Sequence, residues 1–174
     1  MEYLYSKFVG TPVFLESGGR PLCRLENLLI DSDNGKVVAF GVAPHFKKII
    51  SPMDVRLWTS QILIRDHDDI VSYDEILNAQ RVVEKNIPIL GNKVYSQEGD
   101  YLGKVFDYAV HPQMLILTKI FVAKSILGLV QLNRRIIPYS CIYEIMPKKI
   151  IVKTDAEVYE DDREAQKVLN LDPA

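Results

Sequence analysis

Apolar positions in this chain alternate with polar ones over short runs, and the alternation comes in two similar series. Val13 and Leu15 recur at the period of two that marks half-buried strands, and Leu22, Arg24, Leu25 and Glu26 mix apolar and polar positions around a second strand. Asp33-Asn34-Gly35 predicts a tight hairpin, because Asn and Gly accept the positive φ of a primed turn, and Lys36 to Val42 reads as the return strand. The second series has His111-Pro112-Gln113 at that place, with Met114 to Ala123 as its return strand. Between the series the period changes. Ser72-x-x-Glu75 has the spacing of a capping box, and Tyr73, Ile76, Ala79 and Val83 follow at helical spacing before Pro88. This predicts a short connecting helix packed between the two halves.

The two series align as an internal repeat. Gly10-Thr11-Pro12-Val13-Phe14 matches Gly91-Asn92-Lys93-Val94-Tyr95, and Gly19 to Leu25 matches Gly99 to Val105. Lys47-Lys48-Ile49-Ile50-Ser51-Pro52 echoes Arg134-Arg135-Ile136-Ile137-Pro138. Val55 aligns with Ile142, and Ile62-Leu63-Ile64 with Ile150-Ile151-Val152. Several short strands with turn residues between them predict a small closed or nearly closed barrel in each half, closure being a way to remove aggregation-prone edges. The expected fold is mainly β: two small antiparallel barrels in tandem, over 6–66 and 88–154, joined by a helix-bearing linker (67–87) and closed by an acidic, partly helical tail (155–174).

These residues resemble the PRC-barrel domain family. The resemblance rests on Gly99-Asp100-Tyr101-Leu102-Gly103-Lys104-Val105 and Ile136-Ile137-Pro138-Tyr139-Ser140-Cys141-Ile142 in the second repeat. In the first it rests on Gly10, Val13, Gly19, Leu22, Ile30-Asp31, Gly35-Lys36-Val37-Val38, Pro52, Asp54 and Val55. It implies tandem PRC-type barrels and docking onto a larger assembly without catalysis. Family members include the cytoplasmic part of a photosynthetic reaction-centre subunit and half of a ribosome-maturation factor. Two departures stand out. Cys23 occupies the place of Gly103, so the first barrel must bend differently if that glycine serves a close approach. The second repeat also inserts Ser125-Ile126-Leu127-Gly128-Leu129-Val130 where the first has only Ala43-Pro44-His45-Phe46.

Composition narrows the function classes. At 174 residues, 48% hydrophobic and 25% charged, the chain has the makings of a packed core, and its net charge of −2 excludes a uniformly basic nucleic-acid binder. No signal peptide or membrane-spanning run is visible, and two lone cysteines form no disulfide framework, so the expected location is the cytoplasm. Charge is unevenly spread: residues 90–153 hold nine Lys/Arg against four Asp/Glu, whereas 154–174 hold two against seven. Such a distribution suits either an acidic partner or a tail that folds back.

Few residues suggest chemistry. Arg65-Asp66-His67-Asp68-Asp69 groups potential ligands but lacks a glycine-centred calcium loop and reads as a linker. Cys141 with His111, or Cys23 with His45, lacks any visible means of lowering the thiol pKa. The chain is therefore expected to be a non-enzyme with no cofactor and no metal. Its expected role is that of an adaptor docking onto a cytoplasmic protein assembly. The competing classes are an RNA- or ribosome-associated factor using the basic second repeat, without a visible aromatic stacking platform, and a peripheral factor at the cytoplasmic membrane face. A homo-oligomer stays open. The candidate contact comprises Ile126, Leu127, Leu129 and Val130, rimmed by Lys124, Arg134 and Arg135, with Lys47 and Lys48 as the equivalent basic pair.

Overall fold

The computed structural model describes residues 2–126, 130–153 and 159–160. It is mainly β, with several sheets. The first half contributes β1 (Tyr3–Leu4), helical turn α1 (Tyr5–Phe8), β2 (Pro12–Leu15), β3 (Cys23–Arg24), β4 (Asn27–Ile30), β5 (Val37–Gly41), β6 (Ile49–Ile50), β7 (Val55–Trp58), β8 (Ile62–Ile64) and β9 (Ile70–Val71). Helix α2 (Leu77–Lys85) follows. Then come β10 (Lys93–Ser96), β11 (Tyr101–His111), β12 (Ile116–Ile126), β13 (Val130–Pro138), β14 (Ile142–Ile145), β15 (Lys149–Val152) and β16 (Tyr159–Glu160).

The repeat is visible in strand pairing. β2 runs parallel to β8, with Val13 opposite Ile62, and β10 runs parallel to β15, with Val94 opposite Ile150. The antiparallel pairs β7–β8 and β14–β15 correspond likewise, as do Phe40 opposite Ile50 and Ile120 opposite Ile137. Most of these residues are fully buried, so the registers place equivalent apolar side chains on inner faces.

The halves differ in continuity. The first divides into two four-stranded sheets, in order β3-β2-β8-β7 and β4-β5-β6-β9; the second is one sheet, β14-β15-β10-β11-β12-β13-β16, with β1 added on β11. Among the described residues the hydrogen-bonded ladders close no barrel. Gly103 accounts for part of the difference. A Cβ there would stand 2.4 Å from the Ala123 carbonyl oxygen, so β11 passes from β10 to β12 without a break only because residue 103 lacks one. Cys23, its equivalent, carries that Cβ, and the chain breaks into β3 and β4.

The two halves share one apolar core, which includes Phe8, Val13, Leu25, Trp58, Val94, Tyr108 and Ile137. Tyr3 and Leu4 pair with Val110 and Ala109 across the halves. The two hairpin turns also meet. Val37 N–H donates to the Leu115 carbonyl and Leu117 N–H to the Gly35 carbonyl, both at 2.8 Å, around the bridge between Lys36 and Ile116. Gly35 and Leu115 hold equivalent places and both have positive φ, 70° and 53°. The second return strand thus starts at Ile116, later than the alternation predicted, because Leu115 belongs to the turn.

The connecting helix also starts later. The Glu75 carboxylate accepts from Ser72 N–H at 2.8 Å, yet the turn it closes is a short 3-10 turn, and α2 begins at Leu77. Its buried side chains are Ala79 and Val82, not Ala79 and Val83, and they pack with Leu29, Ala39 and Ile49 of the first half. Arg81 Nη2 reaches Asp31 Oδ2 at 3.2 Å, and Asp31 is almost wholly buried.

Candidate interaction face

Strand alternation in the second half sends Val94, Val105, Ile120 and Val122 inward, and so turns their neighbours outward. A bulge in the β11–β12 ladder lies between Val105 and Asp107. An extra residue there shifts the phase. Phe106 is left outward, 39% exposed, while Asp107 and Tyr108 turn into the core. Asp107 is held by Ser6, whose N–H and Oγ donate to its carboxylate at 3.2 and 2.7 Å, and by Tyr108 N–H at 2.8 Å. The bulge therefore fixes α1 to β11 on one side and presents an aromatic ring on the other.

Phe106 does not stand alone. Its ring lies 6.2 Å from that of Phe121, and the Arg134 guanidinium lies over it at 5.7 Å. Tyr101, 38% exposed, pairs with Tyr95 at 5.3 Å and carries Lys124 Nζ over its ring at 6.0 Å. Lys93 and Lys104 are exposed beside them. The result is an aromatic and cationic outer face over β10 to β13. Stacking of cations over rings makes the face part aromatic and part cationic.

The expected contact residues fall in different places. Lys124 and Arg134 lie on this face. Arg135 is opposite the fully buried Val122, and its Nε is buried with no hydrogen-bond partner among the described residues. The two arginines thus split between the two sides, as alternation requires. Ile126 and Val130 are not in a loop: they form the last rung of the β12–β13 hairpin, so the insertion extends two strands. Leu127 and Leu129 lie outside the described residues. Lys47 and Lys48 are exposed on the first half, just before β6, on a different sheet. Missed by the sequence reading were Tyr95, Tyr101, Phe106 and Phe121. Phe106 and Phe121, each an aromatic between two inward positions of an alternating run, were the available cues.

The other clusters are taken up in local structure. The Asp66 and Asp69 carboxylates accept backbone N–H groups from Asp68, Arg65 and Asp66 at 2.9–3.1 Å, which closes a turn. His111 Nδ1 accepts from Met114 N–H at 3.1 Å. Burial pushes the Cys23 thiol pKa up, away from reactivity. A cleft of about 530 Å³ lies between β7 and the turn before β12, with Arg56, Trp58, His111 and Gln113 among its walls. Among the described residues no three His, Cys, Asp or Glu side chains converge as a metal site, and no helix is long and apolar enough to cross a membrane.

Residues 1–71 match the family model of the PRC-barrel domain, the family that the sequence resembles. No curated protein matches the chain.

Proposed function

We propose that this protein is a non-enzymatic adaptor built from two PRC-type barrel units in tandem, which docks onto a larger cytoplasmic protein assembly. The corresponding parallel pairs β2–β8 and β10–β15 support the tandem reading. The docking reading rests on one observation above all: Phe106 and Phe121 lie outside the core beneath Arg134, in a sheet whose inner face is already filled. Aromatic residues and arginine are enriched at protein contact sites, and nothing in the fold of the sheet requires them here.

The test is capture of partners by the full chain and by a Phe106→Ser/Phe121→Ser variant, at low and high salt. The variant is expected to stay folded and to lose bound protein, while the native chain keeps it at high salt. Retention of the same partners by a folded variant would overturn the assignment of the face.

A second reading, an RNA- or ribosome-associated factor, gains from the same geometry. The sequence showed no aromatic platform, but Tyr95, Tyr101, Phe106 and Phe121 form one on the sheet, with lysines around it. Bases stack on such surfaces. Binding of a labelled single-stranded RNA should then fall steeply with salt through counterion release, and nuclease treatment should abolish capture.

A further inference from the structure

We propose that the outer aromatic and cationic face of the second sheet is a binding surface for an acidic chain segment, and that residues 161–174 of this chain occupy it in the free protein. The inference deepens the docking reading and rests on it, since any partner for the face must then displace the tail. It starts from β16. This two-residue strand pairs antiparallel with β13, with Tyr159 opposite Ile136 and Glu160 opposite Arg135. Continued in that direction, the chain would run back along β13 past Arg134. Asp161 and Asp162 come next in the sequence, so the first charges beyond β16 are acidic where the neighbouring strand presents a guanidinium. Opposite charges on adjacent strands attract, and like charges there would repel.

Composition and reach agree with this. Residues 161–174 hold four Asp/Glu against two Lys/Arg, and the 90–153 segment nine Lys/Arg against four Asp/Glu. Beyond its acids the tail carries Ala165, Val168 and Leu169, apolar side chains of the kind that cover exposed rings. From β16 to β11, where Phe106 sits, is three strand spacings, about 14 Å. A segment the length of 161–174 spans about 45 Å when extended, so distance sets no barrier. Tethering to the sheet through β16 also makes the contact intramolecular, and a modest intrinsic affinity is then enough to keep the face covered.

The experiment compares the native full chain with Asp161→Asn/Asp162→Asn/Glu164→Gln by heteronuclear NMR. The readout is the backbone resonances of Phe106, Phe121, Lys124 and Arg134. They are expected to move in the variant, and to move in the same direction when salt is added to the native chain. A synthetic peptide of residues 161–174 added to the variant should return them toward native positions, with affinity falling on the order of tenfold as screening increases from about 50 to about 300 mM salt. Unchanged face resonances in the variant, or changes confined to the tail itself, overturn the proposal. No partner enters this readout, so that failure leaves the docking reading standing. Loss of the docking reading comes instead from partner capture that survives Phe106→Ser/Phe121→Ser.

Discussion

At φ +133°, with Ala123 backbone atoms 2.4–2.5 Å from where a Cβ would stand, Gly103 occupies a place that no other residue fits without backbone movement. Both the left-handed backbone and the close approach oppose substitution, and the contact is with main chain, which cannot rotate away. Gly103→Ala is therefore expected to cost about 2–4 kcal/mol, the range of overpacking combined with a disfavoured backbone. Chemical denaturation of the purified variant checks this, and a change below about 1 kcal/mol would show that β11 and β12 separate easily at this rung. Ala at Gly99, where φ is also positive but no atom lies within 4 Å, is the milder control. Cys23 shows the alternative the first repeat adopts: with a side chain in place the strand stops after two residues.

At the scale of elements, α2 is anchored by a charge as well as by packing. Asp31 is nearly fully buried at the start of the first hairpin turn, where Asn34 Nδ2 and Asp33 N–H also donate to it, at 3.0 and 3.1 Å. Arg81 is more than half exposed, so its pairing gains less than a fully buried one. Arg81→Ala removes one of three partners from the carboxylate and should cost about 1–2 kcal/mol. In Arg81→Ala combined with Asp31→Asn the two losses should not add; additivity in urea melts would show that the pair carries no coupling. Elements such as these were unequally legible. The place of the Asn34-Gly35 turn and the internal repeat follow from turn chemistry and period, although only Gly35 takes positive φ and the parallel pairs β2–β8 and β10–β15 depart from the antiparallel expectation. The capping box at Ser72 was legible as a motif, but a 3-10 turn satisfies the same two residues as a helix does. The bulge at Phe106 and the strand character of Ile126 and Val130 were not legible, because a one-residue phase shift and an apolar hairpin tip look like noise and loop in a linear pattern. The face they build was therefore read only through its cations.

At the scale of the whole molecule, the core that joins the two halves contains a deeply buried phenol, and this makes their union sensitive to alkali. Tyr108 lies in the common core, with its ring 5.2 Å from that of Tyr5 and its hydroxyl donating to Asn27 Oδ1 at 3.3 Å across the halves. Burial first, then Tyr5 and the Asp107 carboxylate, hold its phenol far above the ordinary value. In the unfolded chain the same phenol deprotonates near its ordinary pKa of about 10. Above that pH the unfolded state binds fewer protons than the folded one, so stability falls as pH rises, whereas below it the group adds no pH dependence. A single such phenol contributes a slope approaching about 1.4 kcal/mol per pH unit. Cys23, also raised by burial, begins the decline earlier, near the ordinary thiol range. Tyr108→Phe should therefore lose about 0.5–1 kcal/mol at neutral pH, for one long hydrogen bond, and yet show a shallower decline between about pH 9.5 and 11 than the native chain. Urea unfolding followed at several alkaline pH values measures both. If the two slopes coincide, Tyr108 ionises within the folded protein, which it can do only if the joint between the halves opens to water before the molecule unfolds.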